Sequence, residues 1–511
     1  MDMPNVQSFT TAINAGYNFK GDSIVLGGAM FESQSVPNVH VTIPLSMMNR
    51  HGLIAGATGT GKTKTIQRLC ESLSENGVPV LIMDIKGDVS GLSQPGTSNP
   101  KIEERSKLLN IPWQAKQFPV EFLTISTENG VRMRATVTEF GPVLFAKMLE
   151  LNDTQGGVMS MVYKYCDDKK LPLIDLEDLK ATLQYMMSDA GKAELTGEYG
   201  SISPATVGTI MRKVIELQQQ GADSFFGETS FDVRDLTRTD NTGKGFINVM
   251  RVTDIQAKPK LFSTFMLSLL TEIYASFPEE GDVLKPKLCI FIDEAHLIFE
   301  SASKNLLDQI EMIIKLIRSK GIGIYFITQN PIDVPDSILA QLGIKIQHAL
   351  RAFTANDRKA IKEASQNYPE TEFYKVDELI TSLGIGEAFV TVLDERGNPT
   401  PLVHTMLLAP QTRMDTISPS ELDDVVSHSN IASKYAQVID NQSAKEILTQ
   451  RIAQAQVENP NVNIATGKPA KEEPGFLEEL SKNTMVKQIG RTVTSELTRG
   501  ILGMLGFGRR G

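Results

Sequence analysis

Cysteine is scarce. The chain has three cysteines in 511 residues, Cys70, Cys166 and Cys289, far apart and without C-x-x-C spacing. That argues against a disulfide framework and against a thiolate metal site, and the three read as reduced core residues. Aromatic residues make up 6%, with a single tryptophan, Trp113. They form no stacking series of the kind that grips single-stranded nucleic acid. A basic surplus is also missing: 51 Lys and Arg stand against 61 Asp and Glu, a net charge of -10. The chain as a whole therefore lacks the electrostatic signature of a nucleic-acid binder, although a basic pore inside an acidic shell is compatible with it. No run approaches the ~18 uninterrupted apolar residues of a membrane span. Residues 261–277 come nearest and are broken by Ser, Thr and Glu. The first residues show no basic and then apolar leader, so the expected compartment is cytoplasmic. No internal repeat or low-complexity tract stands out. What is present, 41% hydrophobic and 22% charged residues, suits a globular chain of two to four domains.

The strongest signal is residues 49–63, NRHGLIAGATGTGKT. A short apolar run, Leu53-Ile54-Ala55, leads into Gly56, Ala57, Thr58, Gly59, Thr60, Gly61, Lys62 and Thr63, with Lys64 next. This fits G-x-x-x-x-G-K-[ST] between a strand and a helix, the phosphate-binding P-loop. Its glycines let backbone N–H groups wrap a phosphate chain, and the helix over residues 62–76 adds the positive end of its dipole. Lys62 would reach the β- and γ-phosphates, and the Thr63 hydroxyl would be a Mg²⁺ ligand. The pattern implies binding of a nucleoside triphosphate.

The rest of the chain arranges itself around this loop. Residues 1–48 hold two or three short strands, a small N-terminal β element. Residues 49–138 are the first part of an ATPase core, in which 78–84 is a strand buried on both faces. It ends in Asp84-Ile85-Lys86-Gly87-Asp88, a polar turn at the edge of the sheet where ligands of open α/β sheets bind. Residues 120–126 are a further strand. Residues 139–235 turn helical, with apolar residues at three- and four-residue steps, and read as an all-α insertion. Its methionines read as core. Residues 236–416 resume the core, with strands at 245–252, 287–292, 321–328 and 344–350 and helices at 258–277 and 306–318. Residues 387–393 and 401–407 flank a turn and read as a closing hairpin. Residues 417–455 are C-terminal helices, 456–475 a linker, and 476–511 a basic amphipathic tail. That tail either lies on a membrane or partner, or packs on its own protein or a neighbouring subunit.

Two more motifs carry chemistry. Leu288-Cys289-Ile290-Phe291-Ile292-Asp293-Glu294 is a buried strand that delivers two carboxylates to its tip. Asp293 would hold Mg²⁺ through water, and Glu294 would orient or activate water against the γ-phosphate. An adjacent Glu suits hydrolysis better than transfer to an acceptor, and it predicts an extra strand between the P-loop strand and this one. Strand 321–328 then brings Gln329 beside the nucleotide, where an amide can sense the γ-phosphate. His296 either touches the site or simply starts a helix. Arg50 and His51 either contact a base or an adjacent subunit, or pack locally.

The succession of the P-loop, DIKGD, FIDEAH and RSKGIGIYFITQNP resembles the HerA/FtsK group of ATPases. The bacterial HerA-like proteins carry NRHGLIAGATGTGKT and QHALRAFTANDRKAIK nearly as they stand here, and the likeness covers roughly residues 20–410. The resemblance implies an α/β fold with a RecA-like P-loop NTPase core and a largely parallel sheet. It also implies hydrolysis of ATP with Mg²⁺ and a homo-oligomer, a hexameric ring with nucleotide at subunit interfaces. An arginine is then expected to reach into the neighbour's site, with Arg318 and Arg351 as candidates. Better-known relatives translocate duplex DNA. Here the N-terminal 50 residues are too few for the β-barrel of HerA proper, and the acidic balance and tail are not those of a simple DNA pump. Two functions follow: a DNA translocase or helicase, working with a nuclease partner, or a nucleotide-switched assembly ATPase docked through its tail to a membrane or protein partner.

Overall fold

The computed structural model describes residues 5–255, 259–281, 283–300, 304–352, 354–437 and 441–458. The linker and amphipathic tail expected over 459–511 lie outside the described residues. The chain divides into two compact units, Met1–Met133 with Phe231–Gln437, and Arg134–Ser230 with the segment from Val438 onward. No described helix is long and apolar enough to cross a membrane.

The first unit is built on one 12-stranded sheet. Its strands are β1 (Ser23–Phe31), β2 (Gln34–Pro44), β3 (Gly52–Ala55), β4 (Val80–Asp84), β5 (Val120–Thr124), β6 (Val131–Arg132), β7 (Ile247–Arg251), β8 (Leu288–Ile292), β9 (Ile322–Thr328), β10 (Ile344–Gln347), β11 (Glu387–Thr391) and β12 (Val403–Leu407). The order across the sheet is β2-β1-β12-β11-β10-β3-β9-β8-β4-β7-β5-β6. From β10 to β6 every neighbouring pair is parallel, whereas β11, β12, β1 and β2 join antiparallel.

The local reason for this division is in the residues. β3, β4, β8 and β9 are buried at every position, as strands covered on both faces must be. β2 alternates over its second half and carries exposed residues, as an edge strand does. The N-terminal strands do not stand apart; β1 pairs with β12 through Gly27↔Leu407 and extends the common sheet. A helix over Val6–Gly16, absent from the sequence reading, docks Phe9 and Ile13 into the same core. β9 lies between β3 and β8, the extra strand that the Asp293-Glu294 pair implies.

The second unit is helical. It contains helices Val137–Met148, Asp153–Lys169, Leu176–Met187, Asp189–Glu198 and Pro204–Gln219. Three begin with reciprocal caps, Thr136 with Glu139, Asn152 with Gln155 and Asp175 with Asp178, each worth about 1 kcal/mol. Phe140 anchors the core, its ring 5.2 Å from Phe226 and 5.8 Å from Phe225. Met159 and Met186 are buried there, so these methionines are packing residues. Helix Ala444–Glu458 belongs to this unit too. Asp178, itself buried, accepts the Lys445 amide at 2.9 Å and so satisfies the start of that helix.

Candidate active site

The site forms at the C-terminal edge of the parallel strands, where β3, β4, β8, β9 and β10 all end. Leaving β3, Gly56 donates its amide to the Thr328 carbonyl at 3.2 Å, and Ala57 donates to Ala349 at 2.8 Å. The P-loop is thereby tied to the strands on either side of it. A side chain at Gly56 would stand 2.5 Å from the His348 Cβ, so only glycine fits. Gly61 caps helix Lys62–Glu75 at φ 109 and offers no side-chain cap. The first amides of that helix therefore stay open to an anion, and Thr58 and Gly59 are exposed above them. On the far side the Gly386 amide donates to the Thr60 carbonyl at 3.0 Å.

The Lys62 ammonium folds back onto the loop, donating to the carbonyls of Gly56 at 2.5 Å and Ala57 at 3.2 Å. Burial, and then the charge of Lys86, lower its pKa. The Thr63 hydroxyl donates to Asp88 Oδ2 at 3.1 Å. Lys64 takes another direction: its ammonium donates to the Met414 carbonyl, and burial lowers its pKa. Thr58 and Thr60 belong to the loop, and the Thr60 hydroxyl closes it by donating to the Ala57 carbonyl at 2.7 Å.

β8 brings Asp293 and Glu294 to the same edge, both buried. Glu294 adopts a left-handed φ of 46, a conformation that costs a non-glycine residue about 1 kcal/mol. The Ala295 amide, donating to the Ile327 carbonyl at 2.9 Å, holds the turn against β9. Burial first, and then the neighbouring Glu294, push the Asp293 carboxyl up to about 6, against the pull of Lys86. Lys86 is ion-paired to Glu294 and lies 4.0 Å from Asp293 Oδ2. His296 Nδ1 is 3.2 Å from Glu294 Oε2, so this histidine does touch the site. Gln329 follows the last residue of β9 and is exposed, one residue beyond the carbonyl that receives the Gly56 amide.

Sequence reasoning flagged the 84–88 turn without giving its side chains roles. Asp84 closes β4 and accepts the Gly87 amide at 2.7 Å. Burial and then Asp88 raise its pKa to about 7. The position of this turn at a strand tip and its DIKGD motif pointed to Lys86 and Asp88, but not to their partners, which are remote in sequence. His348 stands in the QHALRAF stretch that carries the family resemblance, but no site role was read for it. It is fully buried beside the loop, with Nε2 3.0 Å from the Thr65 hydroxyl. Burial, and then Lys62, push its pKa down to about 3, so it stays neutral.

The two arginines go to different places. Arg351 follows β10 at the P-loop edge and is exposed. Arg318 precedes β9, at the opposite edge of the parallel strands, and lines a cavity of about 770 Å³ with Arg50, His51, Lys315 and Lys345. No Asp or Glu is among the residues lining it. His51 is buried there; its Nδ1 accepts the Ile324 amide at 3.0 Å and its Nε2 is 2.9 Å from the Ile314 carbonyl. Arg50 and His51 thus face this cavity and not the P-loop.

The donor set suits Mg²⁺. Thr63, Asp293 and Asp88 offer hard oxygens, and Asp88 Oδ1 is buried without a hydrogen-bond partner among the described residues. No cluster of three or more His, Cys, Asp or Glu residues forms a protein-only metal cage among the described residues.

A P-loop at a bare helix start, facing a strand tip with paired acids and a third strand that ends at the polar Gln329, defines the P-loop ATPase class. The chain belongs to the helicase HerA-like C-terminal family, whose model matches residues 30–510. It is 26% identical over 365 residues to the DNA double-strand break repair helicase HerA of Saccharolobus solfataricus, covering 69% of this chain and 64% of that one. Against the protein of the same description from Sulfolobus acidocaldarius the identity is 24% over 362 residues, with the same coverages. The chain thus spans 64% of the length of these curated relatives. Among solved structures, the bacterial conjugative coupling protein TrwBdeltaN70 aligns at 16% identity and a TM-score of 0.49, over 77% of this chain and 99% of that chain.

Proposed function

We propose that the chain hydrolyses ATP with Mg²⁺ and works in the cytoplasm as a homo-oligomeric motor, a hexameric ring, on duplex DNA. The observation that carries this reading is the meeting of the P-loop, the Asp293-Glu294 pair and Gln329 at one edge of the sheet. Bound Mg²⁺ would neutralise phosphate charge, held by Thr63 and Asp293. Lys62, released from the loop carbonyls, binds the β- and γ-phosphates. Glu294 takes the proton of the attacking water, and Gln329 holds that water or senses the γ-phosphate. The ring is supported by Arg318, which sits at the edge of the sheet away from its own P-loop, among cations and without a carboxylate in the lining. From there it serves the nucleotide of a neighbouring copy. DNA is supported by the names of the curated relatives, both described as repair helicases.

The test is the ATPase rate of the full-length protein with and without linear duplex DNA across a salt series. Expected is turnover that DNA stimulates and that loses the stimulation as salt rises. Lys62→Ala should abolish nucleotide binding or turnover, and Glu294→Gln should bind ATP while losing on the order of 10²–10⁴ in rate. Unchanged hydrolysis in either variant would sink the site. A robust rate indifferent to DNA at every salt would replace the DNA motor with the tail-docked assembly ATPase.

A further inference from the structure

The turn between β4 and the next helical segment places two side chains on the two halves of the candidate metal site. Asp88 receives the Thr63 hydroxyl at 3.1 Å. Lys86, two residues earlier, pairs its ammonium with Glu294 and stands 4.0 Å from Asp293 Oδ2. Four carboxylates, Asp84, Asp88, Asp293 and Glu294, therefore share one strand edge with two cations, Lys62 and Lys86. Lys62 is held on the carbonyls of Gly56 and Ala57. The ammonium that faces the Asp293-Glu294 pair is that of Lys86.

The two partners differ in how they are held. The side chains of Asp293 and Glu294 are 11% and 6% exposed, whereas that of Lys86 is 37% exposed. The acids are fixed in the core, and the lysine reaches them from solvent on a flexible stem. Such a cation can leave without opening the fold. Its charge is also directly exclusive with a metal ion, because both would sit against the same carboxylate oxygens and like charges a few ångströms apart repel strongly in a partly buried site.

We infer that Lys86 is the resident counter-cation of the nucleotide site, a positioning residue that occupies the place beside Asp293 and Glu294 until a triphosphate brings its own divalent cation. This rests on the ATPase reading above. Lys86 keeps bare metal out, and it keeps Glu294 engaged while no substrate is present. An arriving triphosphate supplies the negative charge that draws Lys86 and Lys62 away from their present partners, and Glu294 is then free to act on water. Loading of metal and unmasking of the base become one event.

The test is binding of Mn²⁺, followed by electron paramagnetic resonance, to the full-length protein without nucleotide and with a non-hydrolysable ATP analogue. Wild type, Lys86→Met and Lys86→Arg are compared. Without nucleotide, Lys86→Met should bind Mn²⁺ at least about tenfold more tightly than wild type, because the competing charge is gone. Lys86→Arg should behave as wild type. With the analogue, the three should agree within about threefold, because the lysine has already left. Equal nucleotide-free affinity in wild type and Lys86→Met overturns the inference, as does Lys86→Arg following Lys86→Met. Should Lys86→Met fail to fold, Lys86→Gln removes the same charge and keeps a polar tip. Failure of the wild type to bind the analogue at all would overturn the ATPase reading and this inference with it. The nucleotide-free comparison by contrast tests Lys86 alone.

Discussion

The two edges of the parallel sheet are electrostatic opposites. At the C-terminal tips of the strands, Asp88, Asp293 and Glu294 gather around Lys62 and Lys86, with Asp84 beside Asp88. At the N-terminal ends, Arg50, His51, Lys315, Arg318 and Lys345 surround a cavity of about 770 Å³ without a carboxylate in its lining. Each edge buries one histidine, His348 at the first and His51 at the second, and each is held neutral chiefly by burial. A net charge of -10 hides this division completely. An edge rich in acids can receive a metal-bound nucleotide, and an edge rich in cations can receive the phosphates that another copy presents. In the proposed ring, this separation would let one chain carry both halves of a shared site without neutralising itself.

The sharpest way to break this comparison is to ask which edge supplies the arginine. Arg318→Ala should lower the ATPase rate by about 10³–10⁵ while leaving nucleotide affinity nearly unchanged, and Arg351→Ala should stay within about tenfold of wild type. Steady-state kinetics of both variants decides it. The reverse result would move the trans contact to the carboxylate edge and leave the basic cavity without a role in hydrolysis.

A smaller effect reads the crowding of carboxylates. The folded-state pKa of Asp84 is raised to about 7 by burial and by Asp88. A raised acid is favoured in its protonated form, so its contribution is intact below about pH 4 and is lost as pH rises through 7. Asp84→Asn should therefore stabilise the nucleotide-free protein by on the order of 3 kcal/mol at pH 8 and hardly at all at pH 4. Denaturant melts at the two pH values measure this. Equal effects at both would show that the acids do not strain one another.

The smallest effect concerns the paired histidines. Their folded values lie near 4 for His51 and near 3 for His348, below the ordinary 6.5. Stability from a depressed histidine is present at pH 7 and lost as pH falls below 6.5, because the unfolded chain takes up the proton first. Each should cost about 2 kcal/mol between pH 7 and pH 5, and His348→Gln should remove one such share from the slope. Urea unfolding at pH 5, 6 and 7 reads it. A slope unchanged by His348→Gln would mean that the P-loop histidine is solvated and that the two edges differ in packing as well as in charge.

Much of this was legible in the chain alone because it is local. The P-loop needs only a strand, a glycine turn and a helix start in succession, and residues 52–75 supply them. The continuous apolar runs before Asp84 and Asp293 announce strands buried on both faces, and the order of β3, β9 and β8 follows from the paired acids. The helical segment declares itself by its period. Helix Ala444–Glu458 did not announce its unit, because the groups that receive its first two amides, the Pro172 carbonyl and the Asp178 carboxylate, are more than 250 positions away.

What the sequence by itself determined is therefore the set of candidate groups: the phosphate loop with Lys62 and Thr63, the paired acids Asp293 and Glu294, and Gln329 after the next strand. Only the tertiary structure decided which charges meet. Lys86 finds Glu294, Asp88 finds Thr63, Lys64 turns away to Met414, and Arg318 lines a basic cavity at the opposite edge of the sheet from the P-loop. The physical reason is that a motif is written in backbone conformation over a few consecutive residues. A salt bridge, by contrast, depends on strand order and on where the tips of separate strands come to lie.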